Sequence, residues 1–131
     1  MNQPAGSPDL GKTTLNLDPH LEALLAYVLG WITGLIFYVM EKENRFVRFH
    51  AYQSILVFVG LTLLYMALGI IQAVVLFVLR FAFIGFLFNI FWVFLWLAGL
   101  ILWILLMLKA YQGEWYKLPI VGDMAEKKCG N

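Results

Sequence analysis

Charge is what this sequence has least of. Only 13% of its 131 residues are charged, against 63% hydrophobic and 17% aromatic. A water-soluble domain carries about 25% charged and about 45–50% apolar residues. An ordinary soluble globule and a disordered chain are therefore excluded. Cysteine is nearly absent. The single Cys129 cannot form an internal disulfide, which excludes a disulfide-rich secreted module and leaves the redox compartment open. Net charge is +1, without the basic excess that suggests nucleic acid. Histidine is limited to His20 and His50, far apart in sequence, and Cys129 lies in a tail, so no zinc set forms. A Walker loop, a G-x-S-x-G elbow, an H-E-x-x-H helix and paired acids at a membrane interface are all missing. The chain reads as a non-enzyme with no catalytic, cofactor or metal residue.

What is present is long apolar runs. Residues 1–20, with Pro4, Pro8, Pro19, Gly6 and Gly11, have no apolar period and read as a flexible polar tail. Its one basic residue, Lys12, is offset by Asp9 and Asp18, which makes a poor targeting peptide. Asp18-Pro19 fits a helix N-cap with proline at N1, and Glu22 suits the positive helix end. Leu21 to Met40 is apolar apart from Glu22 and Thr33. Twenty residues rise about 30 Å, one hydrocarbon thickness, so a first transmembrane helix is predicted over 21–40. The polar run Glu41-Lys42-Glu43-Asn44-Arg45 stops it. Ala51 to Leu108 then holds 58 residues with one charge, Arg80. As one helix it would run about 87 Å, so it must turn, and Arg80 is the only charged place to do so. Helices are predicted over 50–78 and 87–112. The expected fold is an all-α integral membrane protein, a small bundle of three transmembrane helices with four as the alternative. The transmembrane domain covers 21–118, and 119–131 form a polar C-terminal tail.

With three spans, Lys12 and Arg80 fall on one side. Lys42, Arg45, Arg48, Lys109, Lys117, Lys127 and Lys128 fall on the other. Because basic loops stay cytoplasmic, the expectation is a multi-pass plasma-membrane protein with its N-terminus outside and its C-terminus in the cytoplasm.

Gly30-x-x-x-Gly34 suits close helix packing in lipid. His50, Gln53 and Ser54 share one face at i, i+3 and i+4 and could hydrogen-bond across helices. Gln72 lies about 28 Å along the helix from Gln53, so the two form no midplane ion site. No acid, lysine or histidine lies deep in the apolar runs, which argues against a proton relay or ion-coupled carrier. Residues 81–96 are dense in aromatics, and Trp92, Trp96 and Trp103, with Gly99, share a face that suits packing or a hydrophobe groove.

Two segments carry a resemblance. One runs from Ala26 to Phe37 and on through Glu41-Lys42-Glu43-Asn44-Arg45-Phe46-Val47-Arg48-Phe49-His50-Ala51-Tyr52-Gln53-Ser54. The other is Ala110-Tyr111-Gln112-Gly113-Glu114 with Lys117-Leu118-Pro119-Ile120-Val121-Gly122-Asp123. Over about residues 22–126 the chain resembles the chloroplast inner-envelope import-component family (Tic type), and is more similar to its small prokaryotic relatives, uncharacterised membrane proteins. The resemblance implies a multi-helix membrane protein and, in plastid members, a role in a protein-conducting complex. It implies no catalytic residue. Its charged signature maps onto Glu41, Asn44, Arg45, Arg48, His50 and Gln53, and its C-terminal interfacial signature onto Gly113, Leu118, Pro119, Gly122 and Asp123.

The expected function is a small non-enzymatic scaffold or subunit of a membrane assembly, linked to protein or solute translocation. The alternatives are an oligomeric channel or small-molecule transporter, and a lipid-responsive membrane-stress protein. Expected partners are membrane lipid and other membrane proteins or further copies of the chain, with no cofactor and no nucleic acid.

Overall fold

A computed structural model describes residues 10–128, and within them the chain forms five helices and no strand. They are α1 (Pro19–Val28), α2 (Trp31–Met40), α3 (Arg45–Leu79), α4 (Ala82–Tyr111) and α5 (Val121–Lys128). The sequence readings on Pro4, Gly6, Pro8, Asp9 and Cys129 lie outside the described residues.

Helices α3 and α4 form a long antiparallel hairpin, and both are long and apolar enough to cross a membrane. Its turn is at Arg80, which ends α3 in the left-handed region at φ 54°. The Arg80 guanidinium lies over the Phe77 ring at 5.7 Å. At the far side of the molecule, here called the polar end, α1 sits between the two long helices. Ala23 and Tyr27 of α1 pack with Phe46 and Val57 of α3 and Leu106 and Ala110 of α4. Helix α5 closes the same end through Ala125 against Phe49. Beyond this core, α3 and α4 present large apolar side chains outward, among them Leu63, Ile70, Phe77, Phe86 and Phe94.

The predicted single helix over 21–40 is two ten-residue helices folded back on each other. Asp18 caps α1 by accepting from the His20 backbone N–H at 2.9 Å. The chain then reverses at Leu29-Gly30, where Gly30 takes φ +67°, a value open to glycine because it has no Cβ. Counting apolar residues measures length and is blind to such a reversal. Helix α1 runs alongside α3 from Phe46 (6.5 Å from His20) toward Gln53. Helix α2 runs back, from Ser54 against Gly30 to Arg48 against Tyr38 and Glu41.

Other boundaries shift for local reasons. Helix α3 starts at Arg45 instead of 50, because the Asn44 side chain accepts from the Val47 N–H at 3.1 Å and caps it there. Helix α4 starts at Ala82 instead of 87, directly after the Arg80 turn. The expected polar tail at 119–131 contains α5, whose Lys127 and Lys128 suit its C-terminal dipole.

The placement of the N-terminal segment opposite the 41–44 connection is also corrected. Asn44 Nδ2 donates to the Leu10 and Lys12 carbonyls at 2.9 and 3.0 Å. Thr14 N donates to Glu41 at 2.8 Å. The chain from residue 10, the 41–44 connection and the 114–128 segment therefore share one end of the molecule. Lys12 joins the other seven basic residues there, which leaves Arg80 alone at the turn.

Candidate functional site

Polar side chains in an apolar bundle must find partners inside it, since an unpaired buried group costs about 1–3 kcal/mol. At the polar end most of them do, His20 Nε2 and the Glu22 carboxyl being the exceptions. Tyr27, His50 and Gln53 are fully buried. His50 Nε2 lies 2.8 Å from the Glu114 carbonyl, which can only accept, so that nitrogen carries the proton. His50 Nδ1 then accepts from the Tyr27 hydroxyl at 2.8 Å. The Tyr27 oxygen in turn accepts from Gln53 Nε2 at 3.0 Å. The second Gln53 amide proton goes to the Tyr116 carbonyl at 2.9 Å, and Gln53 Oε1 accepts from the Leu118 N–H at 3.2 Å. Phe46 and Phe49 set ring edges against His50 at 4.6 and 5.0 Å, and Trp115 packs on both phenylalanines. Every strong donor and acceptor of this triad is used, so it ties α1, α3 and the 114–118 segment together and leaves no free base.

A second cluster holds the N-terminal segment. The buried Glu41 carboxylate accepts from Thr14 N, Thr14 Oγ1 (2.7 Å), Glu43 N (2.9 Å) and Asn44 N (2.9 Å). Burial pushes the Glu41 carboxyl up, but these donors together outweigh it and hold it below the usual carboxylate range. Arg48 Nη1 donates to the Tyr38 and Glu41 carbonyls at 3.1 and 2.7 Å, satisfying the C-terminal end of α2. Arg45 is exposed and lines an open cleft with Lys12, Glu43 and Trp115. The six residues of the charged signature are thus split. Glu41, Asn44 and Arg48 bind the 10–14 segment and α2, His50 and Gln53 bind the C-terminal segment, and Arg45 faces outward.

In the C-terminal signature, Gly113 takes φ +80° just past α4. Gly122 is buried where an added Cβ would lie 2.6 Å from Lys117 Cα. Leu118 reaches Gln53, while Pro119 and Asp123 are exposed.

Gly34 lies against α3, where an added Cβ would meet the Ala51 carbonyl at 2.9 Å and Ser54 Cβ at 3.0 Å. Gly34→Leu is therefore expected to push α2 off α3. Overpacking of this kind costs about 1–3 kcal/mol, read as a fall in unfolding temperature in detergent. An unchanged midpoint would count against this packing.

Of the remaining sequence candidates, Trp92 Nε1 donates to Gln72 between the long helices. Tyr65 crosses at Gly99 to donate to the Leu95 carbonyl at 3.2 Å. His20 Nδ1 lies 2.9 Å from Asp18, with its Nε2 unpaired. Both oxygens of buried Glu22 also lack a hydrogen bond. Among the described residues no group of three His, Cys, Asp or Glu is placed to hold a metal ion.

Sequence reading gives Tyr27 and Thr14 no role and places Trp103 only on an aromatic face, without its polar partner. Each is one polar group in an ordinary setting, and only the partner brought by the fold gives it a role. Trp103 Nε1, for example, donates to the Tyr27 carbonyl at 2.6 Å.

Compared with known proteins, residues 13–125 match the model of the magnetosome magnetite crystal formation protein family. A UPF0132 membrane protein of Methanocaldococcus jannaschii is 45% identical over 118 residues, 90% of this chain and 94% of the relative. One from Archaeoglobus fulgidus is 42% identical over 106 residues, 81% and 90% of the two chains. A second protein of that type from Methanocaldococcus jannaschii is 42% identical over 117 residues, 86% and 71%. No solved structure matches. These matches overturn the resemblance to the chloroplast import components. The segments Ala26–Ser54 and Ala110–Asp123 lie within the matched region, and the likeness they carry is to prokaryotic membrane proteins.

Proposed function

The chain belongs to the magnetosome magnetite crystal formation protein family, and from that premise we propose that it is a non-enzymatic membrane scaffold, a subunit of a membrane-bound assembly. The observation that carries the reading is the division of labour along the bundle. Strong polar groups at one end are spent on holding the protein's own segments together. The rest of the surface is apolar and fitted to lipid or to other helices.

In the proposed topology α3 and α4 cross the membrane while α1 and α2 enter and leave from the same side. At 35 residues α3 is about 52 Å long. A tilt of about 30° fits it to a bilayer of about 40–45 Å including headgroups. The basic residues cluster with both ends of the described chain, which by the positive-inside rule makes that face cytoplasmic. Cys129 and a Lys12→Cys probe are then expected to react with an impermeant maleimide from the same side of sealed vesicles. Labelling from opposite sides would refute the topology. For the assembly role, a photocrosslinker at exposed Arg45 is expected to trap one defined partner or a second copy; a diffuse background argues against a scaffold.

A further inference from the structure

Each helix of the α1–α2 pair has ten residues, about 15 Å, or half of a hydrocarbon core of about 30 Å. Its tip is level with the middle of α3: an added Cβ on Gly30 would touch Phe58 at 3.2 Å, and Trp31 lines a recess with Val59, Thr62 and Leu63. Past that level α3 and α4 continue without it. We propose that the molecule is a one-leaflet wedge: it adds four helices to the leaflet at the polar end and two to the other, and so prefers membrane curved toward that end.

The hairpin is built to sit in lipid. Irregular backbone at membrane depth is tolerated only where its polar groups are satisfied. Here the Leu29 N–H donates to Thr33 Oγ1 at 3.1 Å, and that hydroxyl lies 3.2 Å from the Ala26 carbonyl. The Gly30 carbonyl accepts from Ser54 Oγ at 2.9 Å. The Tyr27 carbonyl accepts from Trp103 and from Gly30 N. The outer face of α2 exposes Trp31, Ile32, Leu35, Ile36 and Val39, continuous at its tip with Val59 and Leu63 on the outward face of α3. That shared surface commits the face to acyl chains. At the outer rim the 114–128 segment widens the same end, with the Tyr38 hydroxyl donating to the Lys128 carbonyl at 3.3 Å. Helices are about 10 Å across, so the protein's cross-section roughly doubles from one leaflet to the other.

The inference rests on the re-entrant topology proposed above, and the test separates the two. The full chain, carrying Cys129→Ser and Lys12→Cys, is reconstituted into giant vesicles of phosphatidylcholine and phosphatidylglycerol. An impermeant dye added outside marks only molecules whose polar end faces outward. In membrane tubes pulled to a radius of about 20 nm, the dye-to-lipid ratio is expected to exceed that of the flat parent membrane by about two- to threefold, since one-leaflet insertion is curvature-sensitive. In the same Cys129→Ser background, single probes at Trp31→Cys and Val39→Cys are read by quenching with brominated acyl chains. The expected result is a deep position 31 and a shallow position 39. A shallow position 31 overturns the topology and the wedge with it. Correct depths with a ratio of one at every tube radius overturn the wedge alone.

Discussion

Gln53→Leu is expected to detach the 114–118 segment from the bundle and to destabilise the protein by about 3 kcal/mol. Leucine is close to glutamine in volume, so the packing of this fully buried position is nearly kept. What is lost is the acceptor for Leu118 N and the donors to the Tyr116 carbonyl and the Tyr27 hydroxyl. Three groups lose their partner at about 1–3 kcal/mol each, the lower end applying to the half-buried Tyr116 and Leu118, which water can reach. For a chain of this size the unfolding midpoint should fall by about 10 °C. Tryptic cleavage at Lys117, Lys127 and Lys128 should become faster. Gln53→Glu keeps an acceptor for Leu118 N and should sit between wild type and Gln53→Leu. A midpoint and a cleavage rate both unchanged in Gln53→Leu would remove the network from the account of stability.

The long hairpin is legible in the sequence because it needs only composition and length. An apolar run too long for one helix, broken by one charge, turns where the charge stands, and the structure turns at Arg80. The shared face of His50, Gln53 and Ser54 is legible from spacing as well, and the structure sets all three buried, toward α1, α2 and the C-terminal segment. The α1–α2 reversal is not. Gly30 and Gly34 carry the pattern of a packing motif, yet Gly30 serves through its φ of +67° and Gly34 through its contact with α3 of the same chain. One glycine can end a helix or line an interface, and which it does depends on Ser54 and Phe58, 20 and more residues away. The position of the N-terminal segment was hidden for a similar reason. Its attachment is made by Thr14 and two backbone carbonyls, which have no signature until Glu41 and Asn44 are folded against them.

That attachment supplies the other large effect. Glu41→Ala removes the acceptor of four hydrogen bonds at once and is expected to cost about 3 kcal/mol, since bonds to a charged group contribute about 1.5–3 kcal/mol each and the freed Thr14 and Glu43 groups regain water. Amide exchange at Thr14 should rise by orders of magnitude as the 10–17 segment lifts from the 41–44 connection. The same contacts set a pH dependence. Because the folded carboxyl is held below its ordinary value of about 4.3, its contribution is fully present above that value and is lost as pH falls through the lower, folded value. Wild type should therefore lose stability through this group as pH falls below the ordinary carboxylate range, and Glu41→Gln, which has no charge there to lose, should not. The gap in unfolding midpoint between the two is expected to be widest near neutrality and to close on acidification. A gap that stays constant from neutral to acidic pH would mean that the charge of Glu41 contributes nothing and that shape alone holds the segment in place.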